Sequence, residues 1–245
     1  MKNTASASAP QRRPVFLDRD GTMSEEVGYV NHIDRLRLFP WTAPAVRKLN
    51  EAGLAVVVVT NQSGVGQGYF PEELVREVHE RIRKELASEG ARVDAFYYCP
   101  HHPNARLAAY RQACRCRKPD TGMIEQAAAD LGLDLRSAYV VGDSTRDIEM
   151  GFRAGARTVL VLTGYGKGNY EYHRAGWLRP PDLVVENLRE AVKKILAEKS
   201  QSTMRIGSTQ LVSSEFQVPG SELSNSELRT LDRPTRDRAR KRVRK

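Results

Sequence analysis

The sequence has no apolar run long enough to cross a membrane, and it contains only three cysteines among its 245 residues. The longest apolar run, LAVVVV at 54–59, is far shorter than the roughly 20 residues that a membrane-spanning helix needs. Residues 1–13, MKNTASASAPQRR, hold no continuous apolar segment, so we interpret them as a flexible leader rather than a signal peptide. An odd number of cysteines does not suggest a secreted disulfide framework. We therefore expect a cytoplasmic protein that makes no use of a membrane.

Positive charge is concentrated at the C-terminal end of the chain. The formal net charge is +9, and residues 200–245 contribute +5 of it through 10 Lys and Arg against 5 Asp and Glu. This segment is rich in Ser and Thr and lacks apolar periodicity, so we predict a disordered basic tail. A nucleic-acid-binding module is the alternative for such a tail. Because aromatic residues are not interleaved with the bases and no recognition helix is apparent, we favour a solvated tail without nucleic acid.

Apolar runs alternate with helical patterns through residues 14–199, which we expect to form one domain. The predicted strands are 14–18, 54–60, 93–99, 138–143, 157–163 and 182–187, and the predicted helices are 42–52, 71–90, 121–132, 145–154 and a closing helix that ends near 198. Such alternation predicts a doubly wound, Rossmann-like α/β fold with a parallel sheet and helices on both faces. Ligands in these folds bind beyond the carboxyl ends of the strands.

Polar clusters occur where that topology places a site: DRDGT at 18–22, TNQSG at 60–64, RKP at 117–119 and GDSTRD at 142–147. Each cluster alone is compatible with an ordinary cap or turn. Together they bring Asp18 and Asp143 to neighbouring strand ends, which suits Mg²⁺. A carboxylate accepts a phosphoryl group when cations offset the repulsion, and Thr60 and Lys118 are suited to stabilise that group. The sequence thus predicts phosphoryl transfer through an aspartyl-phosphate.

The three cysteines lie in one segment with a histidine. Cys99-x-His101 and Cys114-x-Cys116, separated by twelve residues, supply four ligands of the kind that a structural zinc ion takes. Reduced cysteines packed as small apolar residues are the alternative, but the segment is too polar for a core. We predict a zinc-pinned loop that presents the basic residues of RKP at a fixed place.

The remaining histidines carry no predicted role. We expect His102 to be a solvated loop residue, and His32, His79 and His173 to be ordinary surface or helix residues.

These motifs resemble those of the haloacid dehalogenase superfamily, and within it the family of D-glycero-D-manno-heptose-1,7-bisphosphate 7-phosphatases. The resemblance covers about residues 14–190 and includes FLDRDGT, GYV, VVVTNQSGVGQGYF, YYCPHHP and CRCRKPDTGM. It implies a hydrolase that removes a phosphate from a small sugar bisphosphate, with Mg²⁺ and Zn²⁺ as cofactors.

The resemblance also implies a role for individual residues. Asp18 is the nucleophile, and Asp20 is the general acid and then the base. Mg²⁺ is held by Asp18, the carbonyl of Asp20 and Asp143, while Asp147 orients the others; Thr60 and Lys118 stabilise the phosphoryl group. The implied substrate-binding residues are Arg19, Glu26, Val27, Gly28, Tyr29, Thr60, Asn61, Gln62, Ser63, Arg117 and Lys118.

Relatives of this family carry a lysine directly after the equivalent of Asp143, whereas this chain has Ser144. We therefore expect the end of the sugar phosphate that is remote from the reacting phosphate to be held differently in this chain. The spacing between the motifs leaves no room for a large cap domain, so loops 23–39, 61–70 and 99–117 must close the site, and a monomer is the simplest expectation.

Other phosphatases and a different kind of site are the alternatives. A phosphatase of histidinol phosphate or of a nucleic-acid 3′-phosphate shares the catalytic motifs, but the long cysteine loop favours the heptose enzyme. SGVGQG at 63–68 follows a strand, but it lacks the third glycine of a dinucleotide-binding loop.

Overall fold

The computed structural model describes residues 12–212 and contains one six-stranded sheet. The strand order is β3-β2-β1-β4-β5-β6, and every neighbouring pair is parallel. The strands are β1 Pro14–Leu17, β2 Ala55–Asn61, β3 Ala95–Cys99, β4 Tyr139–Gly142, β5 Arg157–Val161 and β6 Leu183–Val185. All six predicted strands are confirmed. β1 and β2 are buried along almost their whole length, as expected of central strands covered on both faces.

The predicted helices are confirmed between the strands. They are α1 Thr42–Glu51, α2 Glu72–Ser88, α3 Gly122–Leu131, α4 Thr145–Arg153, a short α5 Gly166–Gly168 and α6 Leu188–Val212. Apolar residues of α1, α2 and α6 form one core cluster with the sheet, and those of α3 and α4 contribute to a second. Helices therefore cover both faces, which confirms the doubly wound α/β fold without a large cap in the range 12–203.

The last helix is longer than predicted. α6 runs to Val212 and so extends into residues 200–212 of the predicted tail, and the rest of that tail lies outside the described residues, as do residues 1–11. This segment is polar, but it contains no proline, and an established helix extends at low cost from one residue to the next. The described residues divide into two units between Thr203 and Met204. No helix among residues 12–212 is long and apolar enough to cross a membrane.

The strand order reverses at β1, whose neighbours are β2 on one side and β4 on the other. The segments that follow β1 and β4 leave the same edge of the sheet side by side. This is the switch point at which open α/β sheets bind their ligands.

Candidate active site

Three buried aspartates meet at the switch point. Asp18 follows β1, Asp143 follows β4, and Asp147 lies in the first turn of α4. They are 8%, 2% and 1% exposed, and one oxygen of each lies within 4.8 Å of the others. The structure thus brings together two carboxylates that the sequence assigned to a metal and a third that was assigned an orienting role.

Burial and like charge shift the ionisation of this cluster. Burial raises the pKa of Asp18 to about 7, Lys118 opposes that rise, and Asp147 adds to it. Burial, with the charges of Asp18 and Asp147, raises the pKa of Asp143 to about 9. Crowded carboxylates without a sufficient positive charge hold protons, and a bound divalent cation reverses this effect.

The available oxygens fit a hard cation such as Mg²⁺. Asp147 is fully engaged, because Oδ1 accepts from Lys118 Nζ at 2.6 Å and Oδ2 accepts from the Ser144 hydroxyl at 2.6 Å and the Ser144 amide at 3.1 Å. No hydrogen bond from the residues described here reaches Oδ2 of Asp18 or Oδ1 of Asp143. Asp18 and Asp143 each have an oxygen available to a cation, whereas both oxygens of Asp147 are engaged; the assignment of the metal ligands stays a prediction.

Lys118 is buried among these acids. Its Nζ donates to Asp18 Oδ1 at 2.6 Å, to Asp147 Oδ1 at 2.6 Å and to the Val59 carbonyl at 3.0 Å. Burial disfavours the ammonium, but Asp147 and Asp18 outweigh that penalty and raise the pKa of Lys118. Asn61, at the end of β2, fixes the lysine backbone by accepting from its N–H at 3.0 Å and donating to its carbonyl at 3.2 Å.

Asp20 is paired with Arg19 in a bidentate ion pair, with Nε to Oδ1 at 3.0 Å and Nη2 to Oδ2 at 2.8 Å. Gln62 Nε2 donates to Asp20 Oδ2 and to Thr60 Oγ1, each at 2.9 Å. Arg19 is 1% exposed and does not line the cavity. Its predicted contact with substrate is therefore corrected: the guanidinium is turned inward, where it pairs with Asp20.

His79 is a residue of this site that the sequence interpretation missed. It is 5% exposed, its ring stacks on Phe96 at 4.7 Å, and its Nε2 lies 3.4 Å from Arg19 Nη1. Burial, together with the charge of Arg19, lowers the pKa of His79 to about 3. Helical spacing offered a signal, since His79 lies on the buried face of α2 with Val75 and Ile82.

A cavity of about 350 Å³ lies above the aspartates. The predicted residues that line it are Asp18, Asp20, Glu26, Gly28, Tyr29, Thr60, Asn61, Gln62, Ser63, Arg117, Lys118 and Asp143. Val27 does not line it and packs against the apolar core, which corrects its predicted role. Additional residues at the cavity are Val30, His102, Ser144, Arg146 and Tyr165. His102 is thus a cavity residue as well as a loop residue.

The cysteine loop forms a compact cluster of four potential ligands. Cys116 Sγ lies 3.1 Å from Cys99 Sγ, 3.2 Å from Cys114 Sγ and 3.3 Å from His101 Nδ1. None of the cysteines is in a disulfide. Burial raises the pKa of the Cys99 thiol, and the hydrogen bond with Cys116 raises it further. Three sulfurs and one imidazole nitrogen suit a soft or borderline tetrahedral metal rather than Mg²⁺, so the cluster could bind a metal of the zinc type.

The loop that carries this cluster is attached at both ends to functional elements. Tyr98 and Tyr110 donate their hydroxyls to the Glu72 carboxylate at 2.7 and 2.8 Å, which ties the loop to the start of α2. Arg117 Nη1 donates to the His101 carbonyl at 3.1 Å. The metal cluster is therefore linked directly to an arginine of the cavity wall.

Comparison with known proteins agrees with this fold and site. A family model described as HAD-hydrolase-like matches residues 115–191. The solved structure of D,D-heptose 1.7-bisphosphate phosphatase from B. bronchiseptica, complexed with magnesium and phosphate, is 33% identical and has a TM-score of 0.68; the match covers 76% of this chain and 99% of that one. The parallel sheet and its acidic strand ends thus define a hydrolase of the haloacid dehalogenase type.

Curated relatives narrow this class. A D-glycero-beta-D-manno-heptose-1,7-bisphosphate 7-phosphatase from Rhodopseudomonas palustris is 46% identical over 61% of this chain and 83% of its own length. The protein of the same name from Escherichia coli K12 is 38% identical over 74% of this chain and 93% of its own length. The chain belongs to the D-glycero-D-manno-heptose-1,7-bisphosphate 7-phosphatase family.

Proposed function

We propose that this protein is a Mg²⁺-dependent phosphatase that hydrolyses the 7-phosphate of D-glycero-D-manno-heptose 1,7-bisphosphate through an aspartyl-phosphate. One observation carries the proposal: Asp18, at the end of β1, has one oxygen held by Lys118 and shares a buried cluster with Asp143 and Asp147. The names of the relatives support the substrate.

The roles of the acidic residues follow from their contacts. Lys118, which also binds Asp147, donates to one oxygen of Asp18; the other oxygen, which accepts no hydrogen bond among the described residues, attacks phosphorus and the bond to the sugar oxygen breaks. Asp18, Asp143 and the carbonyl of Asp20 would hold Mg²⁺, which neutralises charge on the acids and the phosphoryl oxygens when it is bound.

Asp20 transfers the protons. It protonates the departing sugar oxygen and later takes a proton from the water that hydrolyses the acyl-phosphate. Arg19 occupies both carboxylate oxygens of Asp20, so the acid step requires Asp20 to turn from Arg19 toward the sugar oxygen. Gln62 donates to the Thr60 hydroxyl, which leaves the hydroxyl proton of Thr60 for a phosphoryl oxygen.

We propose that the metal of the cysteine cluster is zinc and that it is structural, because four protein ligands leave no open position for substrate. Its function is to hold Arg117 and Lys118 in place. A reducing, cytoplasmic location suits three cysteines without disulfides.

We also propose that the protein is a monomer, and sedimentation equilibrium tests this proposal.

Phosphate release from a panel of substrates tests the proposed function. The panel contains both anomers of heptose 1,7-bisphosphate, other sugar bisphosphates and histidinol phosphate, each with Mg²⁺. We expect the heptose bisphosphate to be preferred and Asp18→Asn to lower kcat at least ~1,000-fold, because a neutral amide does not accept the phosphoryl group.

The exposed Asp34 provides the matched control, since Asp34→Asn removes the same charge far from the aspartate cluster. Full activity of Asp18→Asn would remove the nucleophile assignment. A preference for histidinol phosphate would instead assign the alternative substrate.

A further inference from the structure

The cavity wall carries two arginines that form no ion pair with an acidic residue among residues 12–201. Arg117 is half-buried, and its one hydrogen bond among the described residues is to the His101 carbonyl at 3.1 Å. Arg146 is exposed at the cavity, and no ion pair or hydrogen bond to its guanidinium occurs within residues 12–201. The other arginine of α4 contrasts with it: Arg153 pairs with Asp120 and Glu149.

Arg146 stands where its helix disfavours a cation. It is the second residue of α4, which begins at Thr145 and has Ser144 as its N-cap. The first turn of a helix carries partial positive charge and stabilises anions, so a guanidinium there is repelled rather than attracted. A cation at a position that opposes local preference is typical of a functional site.

Arg117, His102 and Arg146 all line the same cavity. Neither arginine forms an ion pair among residues 12–201, so an anionic group of a substrate in this cavity has two unpaired guanidinium groups available to it.

Ser144 does not supply the anion contact, although it also lines the cavity. Its hydroxyl donates to Asp147 Oδ2 at 2.6 Å and its amide donates to the same oxygen at 3.1 Å, so both of its donors are engaged in the helix cap. Arg146, two residues along, is the group on this side of the cavity that has donors to offer.

We propose that Arg146 acts with Arg117 as a clamp for the second phosphate of the substrate, the one that is not hydrolysed. This inference rests on the proposed function and makes Arg146 a specificity-determining residue. Two guanidinium groups offer paired N–H donors to phosphate oxygens and keep their charge throughout the cycle. The reacting phosphate lies at the aspartates and Lys118, and the sugar between them lies beside Glu26 and Tyr165.

A comparison of two substrates tests the clamp. We expect Arg146→Ala to lower kcat/KM for heptose 1,7-bisphosphate by about 10- to 100-fold, mainly by raising KM, because a charge-assisted contact to one phosphate is lost. The loss with heptose 7-phosphate should be at least ten times smaller, and Arg146→Lys should recover part of the activity with the bisphosphate. Arg153→Ala, on the same helix and away from the cavity, is the control and should behave as wild type.

Equal losses on the two substrates, or no loss on either, would overturn the clamp. Direct binding separates this outcome from a failure of the proposed function. Calorimetry with Asp18→Asn and with the double variant Asp18→Asn/Arg146→Ala measures affinity for the same two ligands without turnover. Weaker binding of the bisphosphate alone supports the clamp even if wild-type protein fails to hydrolyse it, whereas unchanged bisphosphate affinity rejects the clamp even if hydrolysis is confirmed.

Discussion

Lys118 and Asp18 are separated by 100 residues in the chain, yet the lysine Nζ lies 2.6 Å from a carboxylate oxygen. The contact forms because β1 ends beside β2, and Asn61 at the end of β2 fixes the lysine backbone from both sides. Burial makes the pair costly to break, because removal of one partner leaves the other charge buried alone. The side chain of Asp18 is thus held by Lys118, which Asn61 fixes in turn.

His79 provides a pH-dependent term in the stability of the protein. Its pKa of about 3 in the folded state is below that of an exposed histidine. Below about pH 6.5 the unfolded chain therefore takes up a proton that the folded chain does not, and stability falls as the pH falls from about 6.5 toward 3.

We predict that wild-type protein loses about 2 kcal/mol more than His79→Gln between about pH 7 and pH 5, because a pKa difference of this size gives about 1.4 kcal/mol per pH unit. Urea unfolding in Mg²⁺ at the two pH values measures the difference. The exposed His32 supplies the control, and His32→Gln should retain the wild-type dependence. Equal losses for wild type and His79→Gln would mean that His79 is charged in the folded protein.

The cysteine loop connects a metal cluster, helix α2 and the cavity wall. The His101 carbonyl accepts from Arg117, and Lys118 is the next residue. Displacement of the cluster therefore moves two cations of the site at once. We therefore expect the cluster to affect turnover although it does not line the cavity.

We expect Cys114→Ser to lose the bound metal and to lower kcat/KM by about 10- to 100-fold, the usual consequence of disturbing a supporting metal shell. Zinc content by a colorimetric chelator assay and phosphate release measure the two effects together. Arg106→Ala, an exposed position in the same loop, should change neither. Wild-type activity in a demonstrably zinc-free sample would contradict the supporting role of the metal.

The molecule has an open site, because no cap domain is inserted among residues 12–203. Residues of the loops 23–39, 61–70 and 99–117 line the cavity, and so do Tyr165 and the start of α4. All residues of the proposed mechanism lie before Thr203. We therefore expect the chemistry not to require residues 213–245.

We predict that a chain ending at residue 212 keeps wild-type kcat and KM for the heptose bisphosphate. Phosphate release under the conditions of the full chain measures this. A chain ending at residue 187 is the contrasting variant and should fail to fold, because it loses Leu188, Val192 and Ile195, which are completely buried in the core. A large loss of activity on removal of 213–245 alone would show that the basic segment takes part in catalysis.

The local sequence pattern was sufficient to predict the sheet, the aspartates at the strand ends and the loop that carries the cysteines. Strands such as AVVVVTN are apolar throughout, and in a parallel sheet their carboxyl ends meet at one edge, so Asp18, Thr60 and Asp143 could be placed together without coordinates. The spacing of Cys99, His101, Cys114 and Cys116 likewise allowed four potential metal ligands to be placed together. Residue type and position in the chain were sufficient for these features.

The packing of the helices against the sheet determines the side-chain contacts that could not be predicted from the sequence. Arg19 turned inward to Asp20, His79 became part of the same network, and Arg146 joined Arg117 at the cavity. Each of these outcomes depends on how α2 or α4 is seated against the sheet, which brings together residues far apart in the chain. The direction of a side chain and the partner that it contacts depend on residues far apart in the chain. The residues at the strand ends could therefore be predicted from the sequence, whereas the side-chain contacts around them are determined by the tertiary structure.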